Sequence, residues 1–341
     1  MTDSGVRLLA LTILFPFLVI VALAVALVGC EAQLSVSKPP HVLATVSAPF
    51  GIAVDATTVY VSQVEPAPLV AIPVGGGAAS LLGARAEGHG LAVDERRLYW
   101  SDGRSLLACD RSNCTGSTVI LASGASGVTD IALDASNVYW TATGGSAPGR
   151  VMKVSKNGGT PLDGGRSDGA GASVDGGSAV AGDSPVQIAT ARWPYNVAVD
   201  ATNVYWIEQV QPNSGVLKAP IAGGPVVQLA VSDPIEPMGI ALDEDNVYFG
   251  NGEGTVFEVS KNGGRVNIVL SNLGQFPAGL ATDATTLYVA ASTKLVSIPL
   301  GGGAARTLAT GLAGAGGIAL DAANVYLTDD DGDEVVSVAK R

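Results

Sequence analysis

The chain has 341 residues, a formal net charge of −12 at pH 7 and 15% charged residues. Asp3 and Arg7 cancel within the N-terminal segment, so the acidic excess belongs to the rest of the chain. A strongly acidic surface repels nucleic acid and anionic lipid, and we therefore expect neither nucleic-acid binding nor docking through a basic patch.

Residues 1–30 have the pattern of an export signal. Arg7 supplies the basic charge, residues 8–28 are nearly all apolar, and the segment ends in Leu-Val-Gly-Cys at 27–30. This ending resembles a bacterial lipobox, in which the signal is cut before the cysteine and the cysteine is acylated. The pattern predicts a lipoprotein signal peptide over residues 1–29 and lipidation of Cys30. The alternative is an uncleaved transmembrane anchor, since about 20 apolar residues also span a bilayer.

Residues 30–40 would then form a tether that reaches at most about 35–40 Å when it is extended. Both interpretations of the N-terminus place the following chain outside the cytoplasm. We expect an exported protein of the bacterial cell envelope, held to a membrane through Cys30, at the outer membrane or the cell surface.

A repeated segment organises the rest of the chain, and its form at residues 131–140 is Ile-Ala-Leu-Asp-Ala-Ser-Asn-Val-Tyr-Trp. The seven copies are centred on Asp55, Asp94, Asp134, Asp200, Asp243, Asp283 and Asp321. Their spacing is roughly 40 residues, with one longer step after the third copy, and a strand-rich period of this length is typical of β-propellers.

Each copy predicts a tight β-hairpin, because an apolar run and a β-branched and aromatic run flank a four-residue turn that begins with Asp. An Ala stands two residues before every Asp, which suits the crowded axis of a propeller. A Tyr stands five residues after every Asp, where its ring can fill the space between blades. We interpret these Asp and Tyr residues as structural, because one catalytic site would not need seven copies.

The remainder of each period supplies a third and a fourth strand, but the seventh copy ends after its third strand, at Arg341. Residues 41–46 precede the first copy and have the pattern of the missing strand. The sequence therefore predicts an all-β, single seven-bladed β-propeller over residues 41–341, with four antiparallel strands per blade. The N-terminal strand would close the last blade, which removes free sheet edges and favours a monomer.

The longer step contains an insertion at about residues 160–185 that is rich in Gly, Ser, Ala and Asp and lacks aromatic residues. Such a segment buries too little apolar area to order itself, so we expect a disordered surface loop.

Two cysteines besides Cys30 stand in the segment Ala-Cys-Asp-Arg-Ser-Asn-Cys at 108–114. Four turn-forming residues separate Cys109 from Cys114, and an exported compartment permits a disulfide between them. A metal-binding pair is the alternative, although neither a His nor a second Cys pair accompanies it.

Leu-Tyr-Trp-Ser-Asp at 98–102 and Tyr-Leu-Thr-Asp at 326–329 resemble the YWTD signature of low-density-lipoprotein-receptor-type propellers. The wider Gly-Ile-Ala-x-Asp pattern is similar to NHL, SMP-30 and virginiamycin B lyase-like propellers. YWTD domains usually have six blades, whereas seven copies are counted here, and several copies lack the final Asp. The resemblance implies a fold, not a function.

Two aromatic residues fall outside the repeat, in Arg-Trp-Pro-Tyr-Asn at 192–196. This segment joins two blades, where loops line one mouth of the central channel. Aromatic residues, Met and Arg are enriched at interfaces, and the sequence therefore predicts a binding surface at this mouth. Its candidate residues are Phe50, His89, Arg192, Trp193, Tyr195 and Met238. The alternative is that these rings plug the channel or pack under the connecting loops.

We predict a non-catalytic module that binds or scaffolds an unknown protein or small ligand, without a metal or cofactor. The alternative is an enzyme, since resemblance to virginiamycin B lyase or gluconolactonase implies a metal-assisted site at the mouth. In the lyase-like interpretation, which implies His and Glu residues with Mg²⁺, His89 would be the one well-placed His. In the gluconolactonase-like interpretation, Glu208, Asn251, Glu253 and Asp130 are conceivable members of the metal site. The acidic run at 329–334 could bind Ca²⁺, but its Gly is out of step with an EF-hand loop, which favours a solvated hairpin tip.

Overall fold

The structure is a computed structural model that describes residues 39–88, 90–144, 148–161, 184–210, 213–231, 236–274 and 276–341. Within these ranges the regular structure is β-strand, apart from a four-residue helix, α1 (Cys114–Ser117). β-Branched and aromatic residues dominate the strands, whereas Asp, Asn and Gly occupy the turns, in keeping with their backbone preferences. No helix in these ranges is long and apolar enough to cross a bilayer.

The strands of the first half are β1 (His41–Thr45), β2 (Pro49–Val54), β3 (Thr58–Gln63), β4 (Ala67–Pro73), β5 (Ser80–Ala86), β6 (Leu91–Val93), β7 (Arg97–Ser101), β8 (Ser105–Asp110), β9 (Val119–Ser123), β10 (Val128–Leu133), β11 (Asn137–Ala142), β12 (Gly149–Ser155) and β13 (Thr160–Pro161). Those of the second half are β14 (Val186–Ala191), β15 (Pro194–Val199), β16 (Asn203–Glu208), β17 (Gly215–Pro220), β18 (Val227–Val231), β19 (Pro237–Leu242), β20 (Asn246–Asn251), β21 (Val256–Ser260), β22 (Asn267–Leu270), β23 (Gly279–Thr282), β24 (Thr286–Pro299), β25 (Arg306–Leu320), β26 (Asn324–Asp329) and β27 (Glu334–Ala339).

These strands form antiparallel sheets arranged as a ring. Four sheets have four strands each, in the orders β2-β3-β4-β5, β10-β11-β12-β14, β15-β16-β17-β18 and β19-β20-β21-β22. A fifth sheet adds β13 to the outer edge of β6-β7-β8-β9, and a sixth has the order β1-β27-β26-β25-β24-β23. We call the strand that opens each repeat its inner strand. Successive inner strands contact one another in the order β2, β6, β10, β15, β19, β23 and β25, and β25 contacts β2, which closes the ring.

The prediction of seven four-stranded blades is wrong, because the described residues form six blades. The last two sequence repeats lie in one six-stranded sheet, because β24 and β25 continue through segments that the repeat predicts as separate strands. Ser292 pairs with Ala315 inside these segments. The connection at 311–316 contains no proline, so hydrogen bonding can continue along it. Four other connections enter the next inner strand through Pro49, Pro194, Pro237 and Pro277, and a proline interrupts a ladder because it has no N–H.

The first described strand pairs with the last strand of the chain. His41 of β1 lies opposite Ser337 of β27, and Thr45 lies opposite Glu334. Leu43 is buried on the inner face of β1, whereas the neighbouring Val42 is exposed on the outer face. This pairing joins the two ends of the ring and covers the edge of β27.

The repeated tyrosines form the contacts between successive repeats. All seven are buried, and each packs into the core of the repeat that follows it. Tyr60 packs with Leu98 and Trp100 of the second repeat, for example, and Tyr326 of the last repeat packs with Val59 of the first. The Tyr positions therefore hold the ring together, as their regular spacing predicts.

Cys109 of β8 and Cys114 of α1 form a disulfide, with their Cα atoms 4.8 Å apart. The bridge spans a short hairpin connection and buries both side chains. The predicted signal peptide, Cys30 and most of the tether lie outside the described residues, as do residues 162–183 of the predicted insertion.

Candidate functional site

The strand register gives each sheet two distinct ends. In the sheet β15-β16-β17-β18, Pro194 pairs with Glu208, Glu208 with Gly215, and Gly215 with Val231, so these residues share one end. We call this end, where the chain enters each inner strand, the mouth face. The opposite end carries the Asp-containing hairpins and is called the hairpin face.

Each hairpin is built on one carboxylate. The Oδ1 of Asp94 accepts hydrogen bonds from the backbone N–H groups of Arg96 and Arg97 at 2.9 and 2.8 Å, and its Oδ2 accepts one from the Tyr99 hydroxyl at 2.9 Å. The same Tyr-to-Asp hydrogen bond is present in all seven repeats, at 2.6–3.0 Å. These residues therefore stabilise the fold.

The hydrogen bonds also shift the acidity of both partners. Burial raises the pKa of Asp94, but hydrogen bonds from the turn, from Lys156 and from Tyr99 outweigh that effect and lower its pKa to about 2. Burial, reinforced by the hydrogen bond to Asp55, raises the pKa of Tyr60 to about 12. Asp is therefore ionised and Tyr neutral across the physiological range of pH.

The mouth face is closed in part by glycines at the first position of the repeat. A Cβ at Gly239, Gly279 or Gly317 would collide with the backbone oxygen of the neighbouring inner strand. Only the third and fourth repeats have a side chain at this position, namely Asp130 and Asn196. The mouth is therefore polar on one side, between β10 and β15.

Asp130 and Asn196 connect three neighbouring inner strands. The Asp130 carboxylate accepts hydrogen bonds from the N–H groups of Ile131 and Val197 at 2.8 and 3.0 Å, and from Asn196 Nδ2 at 3.4 Å. Asn196 Oδ1 in turn accepts one from the N–H of Gly239 at 3.1 Å. Some surface of Asp130 stays exposed, but protein surrounds its carboxylate. Burial raises the pKa of Asp130 to about 6, and its hydrogen bonds offset only part of that rise.

Beside this cluster, Trp193 and Arg192 project from the loop that enters β15. Trp193 is 68% exposed and has a φ of 46°, in the left-handed region. The Nε of Arg192 lies 3.5 Å from the Oε2 of Glu208, and the Arg192 N–H donates to Oε1 of the same carboxylate at 3.0 Å. Glu208 itself is buried, and it anchors both the backbone and the side chain of Arg192, the residue before Trp193.

The other predicted mouth residues differ in their placement. Tyr195 is partly buried and packs against the core of the next repeat, and burial, with the nearby Asp130 charge, raises its pKa. Met238 is partly buried and lies next to Gly239, which binds Asn196. Phe50 lies elsewhere on the ring, where its carbonyl accepts a hydrogen bond from Thr328 of the last repeat. His89 lies outside the described residues.

Phe276 is a mouth residue that the sequence analysis missed. It is 49% exposed, has a φ of 53° and stands directly before Pro277, as Trp193 stands before Pro194. Its ring lies over Gly252 in the loop between β20 and β21. The shared aromatic-Pro pattern before an inner strand was the available signal.

Glu208 and Asn251, two polar residues that the enzyme alternative invokes, bind neighbouring groups, although Asn251 Nδ2 is buried without a hydrogen-bond partner among the described residues. Glu208 holds Arg192, and Asn251 Oδ1 accepts hydrogen bonds from the N–H groups of Glu253 and Thr255 at 3.1 and 2.9 Å. In the acidic run, Asp329 accepts from the N–H groups of Ala313 and Gly314. Among the described residues, which exclude His89, no group of three or more His, Cys, Asp and Glu side chains could hold a metal ion.

The closed ring of antiparallel sheets defines the class of this protein, which is a β-propeller. No protein-family model and no curated protein sequence matches the chain. Solved structures do match it. Virginiamycin B lyase from Staphylococcus aureus superposes with a TM-score of 0.65 and 11% sequence identity, over 88% of this chain and 98% of that chain.

Two further matches come from other contexts. The extracellular domain of a B. thetaiotaomicron protein described as a one-component system superposes with a TM-score of 0.61 and 11% identity, over 89% of this chain and 40% of that chain. A chain of a nidogen/laminin complex gives a TM-score of 0.52 and 17% identity, over 71% and 88%. At these identities the likeness shows the propeller fold alone.

Proposed function

We propose that this protein is an exported, lipid-anchored β-propeller that binds a protein or small ligand at its mouth face, without catalysis. The exposure of Trp193 carries this proposal. A large aromatic side chain that is exposed to water adds little to the stability of the fold, but it contributes strongly to the free energy of binding when a partner covers it. Its left-handed backbone costs about 1–3 kcal/mol in a non-glycine residue, and such strain is concentrated at functional sites.

The neighbours of Trp193 suit the same role. Arg192, which precedes Trp193 in the chain, offers guanidinium donors, and its ion pair with Glu208 restrains that side chain in advance, which lowers the entropic cost of binding. Met238 and Phe276 lie on the following connections of the same face. Aromatic residues, Met and Arg are the types enriched in the buried centre of interfaces.

The experiment compares retention of envelope proteins from the source bacterium on the immobilised protein, its Trp193→Ala variant and a Leu81→Ala variant. Leu81 is also 68% exposed but lies on the outer strand β5. We expect a partner that binds the parent and Leu81→Ala equally and binds Trp193→Ala at least tenfold more weakly. Equal retention of all partners by the three proteins would contradict the proposal.

Export and lipid attachment rest on the Leu-Val-Gly-Cys sequence at 27–30 and are supported by the Cys109–Cys114 disulfide, since such bonds persist in oxidising compartments. The matching extracellular domain is consistent with this location. Mass spectrometry of the membrane-associated protein should find a mature N-terminus at a diacylglyceryl-modified Cys30, and the Cys30→Ser variant should remain unprocessed. A mature N-terminus at another residue would refute lipidation.

A second candidate function is an enzyme with its site at the same mouth, of virginiamycin B lyase-like or gluconolactonase-like type. Asp130 favours it, because a surrounded carboxyl with a pKa of about 6 can exchange protons near neutral pH. Turnover of cyclic esters should then depend on a group of that pKa and be lost in Asp130→Asn. If the parent protein turns over neither sugar lactones nor cyclic peptide lactones, this candidate fails.

A further inference from the structure

The hairpin face has an equivalent position in every repeat, which we call the slot residue. It directly follows the third strand of its repeat, and its N–H donates to the carbonyl of the hairpin turn, two residues after the repeated Asp. The slot residues are Val74, Arg111, Lys156, Ile221, Lys261, Leu300 and Lys340.

Four slots hold a cation that reaches back to the preceding repeat. Lys156 binds Asp94 at 2.9 Å, Lys261 binds Asp200 at 2.9 Å, and Lys340 binds Asp283 at 3.0 Å, while Arg111 pairs with Asp55. Each of the three lysines also lies over the ring of the adjoining Tyr, at 5.1–5.6 Å from its centroid. At these three interfaces, the Asp carboxylate and the Tyr ring together bind an alkylammonium group.

A second lysine reaches some of the same interfaces from the third strand. Lys153 and Lys218 lie opposite Tyr139 and Tyr205 in their sheets. Their Nζ atoms donate to the slot-residue carbonyls of Ile221 and Lys261, each at 2.6 Å. The interface between the fourth and fifth repeats therefore holds two ammonium groups, and that between the third and fourth holds one.

The interface between the fifth and sixth repeats has neither cation. Its slot residue is Leu300, and the residue opposite Tyr248 is Glu258. Among the described residues, no Lys or Arg pairs with Asp243, which binds the Tyr248 hydroxyl at 2.6 Å. Where the last repeat meets the first, the slot residue is also apolar, namely Val74. The residue opposite Tyr326 is the neutral Ser337, so this interface lacks the carboxylate that Glu258 supplies between the fifth and sixth repeats.

A pocket of about 370 Å³ opens at this cation-free interface. Tyr248 and Glu258 line its polar side, while Ile268, Leu287 and Ile298 line its apolar side, and the glycines at 301–303 form part of its wall. Glu258 keeps one hydrogen bond from Asn267 at 3.2 Å, which leaves carboxylate lone pairs available. This volume lies at the small end of the range for ligand pockets.

We infer that this pocket, which lies at the interface whose slot residue is Leu300, binds a primary ammonium group carried on a short alkyl chain. Glu258 offers the negative charge and the apolar wall contacts the alkyl chain, while Tyr248, which is 1% exposed, contributes only to the wall of the pocket. Glu258 is the one carboxylate in the lining of the pocket itself, and a single carboxylate suits an organic cation better than a metal ion, which needs several anionic ligands. The site is on the face opposite the mouth and does not depend on the proposed function.

The test titrates n-butylammonium into the purified full chain and follows binding by calorimetry and ligand-observed NMR. We expect saturable binding with a Kd on the order of 1 mM, as suits so small a ligand, and none for the neutral isostere n-butanol. Glu258→Gln should weaken binding about tenfold through loss of the charged hydrogen bond. Glu244→Gln removes an exposed carboxylate from the β19–β20 turn of the same repeat, and this matched control should bind as the parent does.

Leu300→Lys should abolish binding, because it supplies the cation that other slots contain, and its thermal stability shows whether it folds. The double variant Lys218→Glu, Lys261→Leu should create a second site between the fourth and fifth repeats. Binding of Nα-acetyl-lysinamide as well would assign the pocket to peptide lysines, and binding of n-butylammonium alone to free amines. Equal binding of n-butanol, full binding by folded Leu300→Lys, or no saturable binding of either amine would overturn the inference.

Discussion

One ionised carboxylate organises each hairpin of this ring. An Asp side chain that accepts two backbone N–H groups of the turn and a Tyr hydroxyl fixes the conformation of that turn, and each such hydrogen bond contributes about 0.5–1.5 kcal/mol. The arrangement recurs seven times with little change in geometry. Its repetition marks it as structural, and the function must lie where the repeats differ.

The lowered pKa of Asp94 makes stability depend on pH. Its folded pKa of about 2 lies below its unfolded value near 3.9, so the native state favours the ionised form. The stabilisation is therefore complete above about pH 4 and is lost as the pH falls towards 2. Urea unfolding should show Asp94→Asn to be less stable than the parent at pH 7, with a gap that narrows between pH 4 and 2.

Glu95→Gln is the control for Asp94→Asn, because Glu95 is exposed in the same turn. A gap between the parent and Asp94→Asn that stays constant from pH 7 to 2 would show that the carboxylate charge does not contribute. At high pH, the raised pKa of Tyr60 has the opposite sign, so its contribution is complete below pH 10 and is lost as the pH rises through about 12.

Neighbouring sheets are joined by different contacts on the two faces. At the hairpin face, slot cations bind the Asp–Tyr pair of the preceding repeat. At the mouth face, hydroxyl groups bridge the repeats, since Ser62 donates to the Gly88 carbonyl at 2.6 Å and Thr141 donates to that of Tyr195 at 2.6 Å. These bonds link each hydroxyl to a backbone carbonyl of the next repeat, one in the connection before β6 and one in β15.

Adding a cation to an apolar slot should stabilise the ring. Ile221→Lys places an ammonium group beside Asp134 and Tyr139, and the coexistence of Lys218 and Lys261 at the next interface shows that two lysines fit. We expect a gain of about 0.5 kcal/mol in the free energy of unfolding, measured in urea at low salt.

Two variants test the cause of that gain. Ile221→Met keeps the length of the side chain without the charge and should give no gain, and Lys261→Met should lose about as much as Ile221→Lys gains. A gain that persists in 1 M salt, or in the Asp134→Asn background, would show that packing and not charge is responsible.

Closure of the ring joins the first described strand to the last and therefore concerns the whole molecule. Leu43 of β1 packs in a core that also contains Val59 of the first repeat and Val335 of β27. Leu43→Ala should lower the free energy of unfolding by about 2–4 kcal/mol, because it leaves a cavity where the ends of the chain meet.

Val42→Ala is the matched control, because Val42 is the adjacent residue on the exposed face of β1. It should change stability by less than about 0.5 kcal/mol. Both proteins should unfold in one cooperative transition in urea, monitored by Trp fluorescence. If Leu43→Ala is as stable as Val42→Ala, the β1–β27 pairing does not hold the ring closed.

The sequence allowed the hairpins and the pairing of the predicted strand at residues 41–46 with the last blade to be predicted, because each shows a local or repeated pattern. The predicted number of blades was wrong, because seven repeats form six sheets. Residues 290–294 and 311–316 have turn-like composition, but β24 and β25 continue through them once they pair with each other. The sequence of a single repeat does not show whether the hydrogen-bond ladder between strands ends before the next repeat or continues into it.

The mouth was predicted only in part, for a similar reason. Composition drew attention to Trp193 and Tyr195 alike, but the ring exposes the first and buries much of the second. The anchoring of Arg192 by Glu208 and the exposure of Phe276 depend on which loops meet above the sheets. Such encounters join distant residues, and no short-range pattern encodes them.

By itself, the sequence determined a ring of antiparallel strands, the placement of the repeated Tyr rings between blades, and a candidate surface before the fourth repeat. These follow from side chains that act on neighbours a few residues away or at a constant spacing. Only the tertiary structure decided the six sheets, the exposure of Trp193 and the cation-free pocket beside Glu258. Those features depend on which side chains contact one another across an interface, and these contacts are determined by the closure of the whole ring.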